Sequence, residues 1–224
     1  MKNSVVITSA IRTAVGSLGK SLKNVQSSDL GASVINGLLD KSKINKSDID
    51  EIIIGQVLTA GLGQNPARQA AMKAGLPKEI PAHIVNQVCG SGIRSIASAY
   101  QSLKSNDSKV IIAGGQENMS LAPHAIHLRN GKKLGDTELL DTMIKDGLWD
   151  AFHGYHMGVT AENVAEKFQI TRNEQDKFAL KSQENAIEAQ KQNKFAEEIV
   201  NLNIKSKKQR LILIKMNIQE RVSI

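Results

Sequence analysis

Short apolar runs alternate with helical patterns through the first half of the chain, and this alternation constrains the fold more than any other feature. The runs predict extended strands at 5–8, 51–56, 83–88 and 109–113. Between them, apolar residues at helical spacing predict helices at 29–39, 66–74 and 93–103. Strands that alternate with helices are typical of an α/β layered domain.

The first two helices carry local signals of their own. Leu30, Val34, Ile35 and Leu38 form one apolar stripe, and Pro66 suits the first turn of the next helix. From 117 to about 158 the pattern breaks into glycine, histidine and charged residues, which predicts a long functional loop or a small subdomain. Helices are then predicted from Thr160 and from 171 to about 193, the second opened by a capping box.

The only cysteine of the chain, Cys89, lies where an apolar run stops and a helical pattern begins. Gly90 and Gly92 permit a tight turn, so we expect the amides of the first helical turn to stabilise a thiolate or a neighbouring oxyanion. Such a thiol is a candidate nucleophile for acyl transfer. A buried structural cysteine is an equally open interpretation of this position alone.

Five segments in series carry a family resemblance. The segment around the cysteine, NQVCGSG at 86–92, resembles the acyl-enzyme cysteine signature of thiolases, the acetyl-CoA C-acetyltransferases. The others, in order, are SAIRTAVG at 9–16, GQVLTAGLGQNPARQA at 55–70, GGQENMS at 114–120 and GYHMGVTAENVA at 154–165. The resemblance is closest to bacterial biosynthetic thiolases and extends to about Lys208.

The resemblance implies a thiolase-like layered α/β fold, present as the N-terminal half plus a loop domain, with the C-terminal half absent. It divides the chain into an α/β core at 1–116, a loop domain with the following helices at 117–208, and an atypical tail at 209–224. In the family the loop domain covers coenzyme A and carries a tetramerisation hairpin. A homotetramer or homodimer is therefore implied.

The same resemblance implies a reaction and its residues. Cys89 is expected to take an acetyl group from acetyl-CoA and pass it to a second acetyl-CoA, giving acetoacetyl-CoA, or to run the reverse thiolysis. Leu148, His156 and Met157 are expected to line the pantetheine channel, with no metal and no bound cofactor. Ordinary packing remains open for Leu148 and Met157, as does a hydrogen-bonded structural role for His156.

Two other catalytic groups of the family are not found in this sequence. A Gly-His-Pro turn and a second cysteine are expected of a thiolase, but none of the five histidines precedes a proline and Cys89 is the only cysteine. We therefore expect this chain alone to be inactive. A non-catalytic remnant that binds coenzyme A or other chains is the alternative, and a ketoacyl synthase of similar fold is a weaker one, since 155–165 looks specific to thiolases.

The tail suggests how the chain came to differ from the family. Codons shifted by one frame across 213–220 permit Asp-Lys-Asp-Glu-Tyr-Pro-Arg, which resembles the acidic stretch of thiolases at this point. We therefore hypothesise a frameshift near Lys208, which the nucleotide sequence would test.

Composition narrows the remaining function classes. The net charge of +7 comes mostly from 201–224, which hold six basic residues and one acidic residue. With 3% aromatic residues there is little surface for stacking bases, so a nucleic-acid role is not expected. The start shows no signal peptide, no apolar run is long enough for a membrane, and a single cysteine forms no internal disulfide. These features predict a cytoplasmic protein.

Overall fold

A three-stranded parallel sheet forms the centre of the fold. The computed structural model describes residues 4–205 and 210–213. Strand β2 (Glu51–Gly55) lies in the middle of the sheet, between β3 (Ala82–Val85) and β4 (Ile111–Gly115). The register places Gly55 beside Val85 on one side and beside Gly115 on the other. The three strands therefore end together at one edge of the sheet.

Strand β2 is covered on both faces. Ile52, Ile53 and Ile54 are all less than 5% exposed, as expected of a central parallel strand. Because side chains alternate along a strand, Ile52 and Ile54 share one face and pack in the main apolar cluster. Ile53 lies on the opposite face, which it shares with Gly55.

Helices pack against the sheet as the sequence predicts. Helix α1 (Ser27–Ser42) packs on α2 (Pro66–Lys73), and both contribute to the cluster around Ile52 and Ile54. Helix α3 (Ser91–Ser105) packs on β2 and β4. A short 3-10 helix, Lys46–Asp48, leads into β2. The predicted α/β layered core is confirmed.

The main apolar cluster joins α1, α2 and the sheet. Alanines on α2 allow that helix to approach the strands closely, while isoleucines and leucines fill the remaining space. Its buried members are Ala32, Ile35, Leu39, Ile49, Ile52, Ile54, Ala67, Ala70, Ala71, Ala74, Leu76, Ile80 and Ile112.

The strand predicted at 5–8 is wrong. The described residues before Arg12 form no strand, and Val6 and Ile7 are 67% and 78% exposed. The first strand is instead β1 (Arg12–Thr13), which pairs in parallel with β7 (Ile199–Val200). The apolar run at 5–8 has the composition of a strand, but a strand forms only where a second strand supplies hydrogen bonds, and in the described structure none lies beside it.

The region from 117 to 158 leaves the sheet, as predicted, and has short elements of its own. It contains the 3-10 helix Met119–Leu121, an antiparallel pair formed by β5 (His124–Ala125) and β6 (Leu140–Asp141), and the π-helix Ile144–Leu148. An isolated bridge then pairs Trp149 with His156.

Two helices follow this region. Helix α4 (Met157–Lys167) begins three residues earlier than predicted, because His156 acts as its N-cap. Helix α5 (Arg172–Lys191) begins with the predicted capping box, in which Thr171 and Glu174 bond each other's backbone amides. Neither helix contains a buried residue.

The end of the described chain forms an antiparallel pair, β8 (Leu202–Lys205) with β9 (Arg210–Leu213). Apart from β9, the tail at 209–224 that the sequence analysis assigned to a frameshift lies outside the described residues. In the part of the chain that the structure describes, no helix has the length and apolarity needed to cross a membrane. Nor does that part contain a cluster of three or more histidine, cysteine, aspartate or glutamate side chains suited to a metal ion.

Candidate active site

Cys89 lies in the turn between β3 and α3, and its side chain is exposed. Strand β3 ends at Val85 and α3 begins at Ser91, so the cysteine immediately precedes the helix and its N-cap, Gly90. The predicted strand, turn and helix are therefore confirmed, although the strand ends three residues earlier than expected. A structural cysteine buried in the core, the alternative left open by the sequence, is not what the structure shows.

Side chains on both sides of Cys89 hold the turn. The Asn86 side-chain oxygen accepts the backbone N–H of Val88 at 2.9 Å. The Ser91 hydroxyl accepts the backbone N–H of Gln87 at 2.9 Å and donates to the carbonyl of Val88 at 2.6 Å. The residues immediately before the cysteine are thus bonded to a residue in the helix that follows it.

Val88 adopts a left-handed backbone conformation, with φ of +48°. A β-branched side chain is sterically disfavoured in this region, at a cost of about 1–3 kcal/mol. Val88 is 49% exposed, so packing alone does not hold it there. Conformations of this kind persist where the surroundings fix them, and they are common beside catalytic residues.

Some of the backbone amides at the start of α3 form hydrogen bonds that the sequence analysis did not expect. Gly90 N–H donates to the Gln87 carbonyl at 3.0 Å, and Ser91 N–H donates to the Val88 carbonyl at 3.1 Å. Gly90 has no side chain that would cap the helix, which leaves the N–H groups of Gly92 and Ile93 without this partner. The N–H groups that carry the positive end of the helix dipole and lack a capping side chain are therefore those from the second helical residue onwards.

The loop after β2 is held against the end of β4. Gln116 N–H donates to the Gly55 carbonyl at 3.0 Å. The Glu117 carboxylate accepts the backbone N–H of Val57 at 2.8 Å and that of Leu58 at 3.3 Å. Burial raises the pKa of Glu117 above its ordinary value, although the two backbone hydrogen bonds oppose this effect.

A buried chain of amides continues from this point. Gln116 Nε2 donates to Gln56 Oε1 at 2.8 Å, and Gln56 Nε2 donates to the Ser27 hydroxyl at 3.0 Å. Gln56 is 1% exposed and Gln116 is 6% exposed. Hydrogen bonds between buried amides are strong in a low-dielectric interior, so this chain fixes the end of the sheet next to the cysteine turn.

The three residues predicted to line the pantetheine channel lie in the region after β6. Leu148 ends the π-helix and is half-buried, while Met157 begins α4 and is 37% exposed. His156 is exposed, and its Nδ1 accepts the backbone N–H of Gly158 at 3.0 Å. Because Nδ1 is the acceptor, the neutral ring carries its hydrogen on Nε2, which leaves that N–H available as a donor.

Two clefts lie beside this region, and neither is lined by Cys89 or by the three residues predicted to line the pantetheine channel. A small enclosed cavity of about 10 Å³ lies between the loop after β2 and the 3-10 helix. A more open cleft of about 410 Å³ has Leu18, Ser120 and Asp141 among its lining residues. The structure therefore does not join the predicted residues in one of these cavities.

Among the described residues, no general base contacts Cys89, and its thiol has no hydrogen-bond partner. Three histidines instead lie close to carboxylates, and each forms a separate pair with one of them. The pairs are His83 with Glu51 at 3.2 Å, His124 with Asp141 at 3.9 Å and His153 with Asp150 at 3.0 Å.

Sequence reasoning missed the side chains that support the turn. Asn86 and Ser91 fall within the quoted cysteine segment, but they were not given roles. Asparagine two residues before a turn residue is a signal for such a bond, since its side chain commonly accepts a backbone N–H two residues on. The bond from Ser91 back to Val88 has a weaker signal, because it depends on the positive φ of Val88.

Comparison with known proteins gives consistent matches. A family model described as "Thiolase, N-terminal domain" matches residues 5–224. An acetyl-CoA acetyltransferase from Rhizobium meliloti is 57% identical over 205 residues, which cover 92% of this chain and 52% of that protein. A Rattus norvegicus protein named "Acetyl-CoA acetyltransferase, cytosolic" is 50% identical over 204 residues, or 91% of this chain and 51% of the relative.

The fold is also similar to a solved structure. The crystal structure of the Bacillus anthracis acetyl-CoA acetyltransferase superimposes with a TM-score of 0.91 at 35% sequence identity. The match covers 94% of this chain and 53% of that one. The present chain thus spans about half the length of the curated relatives it matches.

Proposed function

Because this chain belongs to the thiolase family, we propose that it carries the acyl-accepting half of an acetyl-CoA acetyltransferase site, with Cys89 as the nucleophile. The observation that carries the proposal is the exposed thiol of Cys89, held on a strained turn directly before α3. The names of the relatives supply the substrate, acetyl-CoA.

The chemistry divides into two steps. In the first, the Cys89 sulfur attacks the thioester carbonyl of acetyl-CoA, the bond to the coenzyme A sulfur breaks, and the proton from the cysteine ends on free coenzyme A. In the second, a second acetyl-CoA loses a methyl proton and its carbon attacks the acetyl-cysteine, releasing the thiol and acetoacetyl-CoA. Exchange between thioesters is nearly isoenergetic, and a thiolate both attacks and leaves well.

The first step makes fewer demands on the protein than the second. Acetylation needs an ionised thiol, a bound thioester and amides that stabilise the oxyanion, a role that we assign to Gly92 and Ile93 at the start of α3. Condensation also needs a base for the methyl proton. The described residues place no base against Cys89, so acetylation is the step we assign to this chain by itself.

The residues proposed to bind the pantetheine arm of coenzyme A are Leu148, His156 and Met157. Met157 offers a deformable apolar contact and Leu148 a branched one, which suits the pantetheine chain. His156 offers its Nε2–H to an oxygen of the ligand while Nδ1 remains bonded to Gly158. These roles follow the family resemblance, and no metal or organic cofactor enters the reaction.

Location and assembly complete the proposal. The chain acts in the cytoplasm, which the cytosolic name of the rat relative supports. It associates as a homodimer or homotetramer and binds neither nucleic acid nor membrane. Sedimentation or light scattering on the purified protein would measure the assembly.

A second candidate is a chain that binds coenzyme A, or other chains, without turnover. One observation favours it: the described residues bring no base to Cys89. In that case Cys89 remains an exposed thiol with no acyl-transfer role.

One experiment separates the two candidates. The purified chain is incubated with acetyl-CoA, and intact-protein and peptide mass spectrometry follow the addition of an acetyl group to Cys89. Cys89→Ser and Cys89→Ala serve as controls, and acetoacetyl-CoA with free coenzyme A measures thiolysis. Acetylation confined to Cys89 supports the proposal. A chain that binds coenzyme A while its cysteine stays unmodified supports the second candidate and overturns the first.

A further inference from the structure

The Ser91 hydroxyl spans the turn that presents Cys89. Val88 has a backbone conformation that valine disfavours, with φ of +48°. The Ser91 hydroxyl bonds both the N–H of Gln87 and the carbonyl of Val88. It therefore spans Cys89 and ties the residues before it to the helix after it.

Ser91 itself has little freedom to move. It is 4% exposed, and its backbone lies directly over the end of β2. A Cβ built on Gly55 would lie 2.4 Å from the Ser91 carbonyl carbon and 2.6 Å from the Gly92 nitrogen. A Cβ built on Gly115, the register partner of Gly55, would lie 3.7 Å from the Cα of Gly92, an ordinary van der Waals distance.

These contacts give Ser91 a fixed position from which to hold the turn. The start of α3 rests on the bare backbone of Gly55, so the helix cannot move closer to the sheet. A hydroxyl fixed at this point holds the Val88 carbonyl, and with it the orientation of the next residue, Cys89. Without the hydroxyl, the Asn86 side chain and the backbone hydrogen bonds of Gly90 and Ser91 remain, but we expect them to hold the disfavoured φ of Val88 less firmly, so that the sulfur shifts relative to the helix amides.

We infer that Ser91 is a positioning residue for acyl transfer: it acts through the Val88 turn to keep the Cys89 sulfur aligned with the amides at the start of α3. This inference rests on the proposed function of Cys89. Acylation builds an oxyanion beside the sulfur and so depends on amide placement, whereas alkylation of a thiol builds none. Ser91 is therefore expected to affect acylation much more than alkylation.

The test compares two reactions of the same sulfur. Because Cys89 is the only cysteine, alkylation of thiols in the full chain reports on it alone, and the acylation assigned to it is the part that is lost in C89A. Acylation is measured with p-nitrophenyl acetate, which needs no coenzyme A site, and alkylation is measured with iodoacetamide. We expect S91A to slow acylation by about tenfold to a hundredfold, less than the loss of an oxyanion donor because the amides are displaced and not removed, with little change in alkylation.

Two variants control for general structural effects. Ser95 is a buried serine one turn further along α3, whose hydroxyl bonds the carbonyls of Gly92 and Gly114 and does not reach the turn. S95A is expected to leave the ratio of acylation to alkylation unchanged. S91T keeps the hydroxyl and is expected to restore that ratio.

A second background, V88G, allows the test even if S91A alone does not fold. In V88G a glycine adopts the positive φ without strain, so the fold no longer depends on the Ser91 bonds to hold it. Adding S91A to V88G should again lower the ratio, but by a smaller factor. An unchanged ratio on removal of the hydroxyl in both backgrounds, or equal losses in S91A and S95A, would overturn the inference.

These outcomes are separate from those of the proposed function. If acetyl-CoA fails to acetylate the wild-type chain while p-nitrophenyl acetate acylates it in a Ser91-dependent way, the proposed function fails and the positioning role stands. If acetyl-CoA acetylates Cys89 and the Ser91 variants keep the wild-type ratio of acylation to alkylation, the proposed function stands and the positioning role fails.

Discussion

The carboxylate of Glu117 accepts the backbone N–H of Val57 at 2.8 Å, and this bond joins the segment after β4 to the loop after β2. The same carboxylate accepts the N–H of Leu58. Both loops leave the sheet at the edge where β3 leads into the cysteine turn. A partly buried acid thus supports the edge of the sheet on which the candidate site is built.

Glu117 should make stability depend on pH. Because burial raises the pKa of Glu117 in the folded chain, the folded state binds its proton more tightly than the unfolded state does. This contribution to stability is complete below the ordinary carboxyl pKa and is lost as pH rises through the raised one. Glu117→Gln removes the ionisable group, so the free energy of unfolding of the wild type should fall relative to that of the variant across this window.

Urea denaturation at a series of pH values measures this difference. Glu138→Gln, which changes an exposed glutamate, is the matched control and should follow the wild type. A wild type that gains stability relative to Glu117→Gln as pH rises through the window would show that the two backbone hydrogen bonds outweigh burial.

The two apolar runs at the start of the chain and in β2 should respond very differently to truncation. Ile52 is fully buried, so Ile52→Ala is expected to lower the free energy of unfolding by about 2–5 kcal/mol. Ile7 is 78% exposed, and Ile7→Ala should change it by less than about 0.5 kcal/mol. Chemical denaturation of both variants provides the comparison. A loss at Ile7 comparable to that at Ile52 would show that 5–8 is buried in a strand after all.

The same contrast shows what local sequence predicts well. The α/β core was predicted because β2 and the helices around it carry strong periodic patterns and clear turn signals. The run at 5–8 has an equally apolar pattern, but its structure depends on a distant partner strand. Arg12 finds such a partner at Ile199, a pairing that no local pattern indicates.

Some features of the candidate site also follow from local sequence, while others depend on how distant elements pack. The position of Cys89 between strand and helix follows from local pattern, and so do the glycines beside it. The contact between Gly55 and Ser91 depends on the packing of α3 against β2, which residue types do not specify. Leu148, His156 and Met157 were selected by family resemblance, and their roles as ligands of the pantetheine arm remain predictions.

His156 offers a test of those roles. Its Nδ1 caps α4, so His156→Ala should weaken the first turn of that helix by about 1 kcal/mol, a typical cost for losing a cap. His156→Asn keeps a capping oxygen and should preserve the turn. Hydrogen exchange at the first amides of α4 distinguishes the two variants.

Coenzyme A binding then separates capping from ligand contact. If the Nε2–H of His156 bonds the ligand, both substitutions should weaken binding in calorimetry, although only the alanine variant loosens the helix. Wild-type affinity in His156→Asn would assign the histidine to capping alone. Lys167→Gln, at the far end of α4, is a control that should change neither measurement.

The outer face of α3 should govern how the chain associates. Ile93, Ile96 and Tyr100 are 75%, 42% and 52% exposed, and their spacing places them on one side of the helix. Neighbouring exposed apolar side chains promote association, so we expect the purified chain to aggregate beyond a homodimer or homotetramer, or to be proteolysed rapidly. Ile93→Glu should slow the increase in light scattering, because it places a charge on this face and an acid in the first helical turn. Leu134→Glu, which adds the same charge at an exposed leucine outside this face, should have a smaller effect. A monodisperse wild-type sample with a sharp cooperative melt would contradict the prediction.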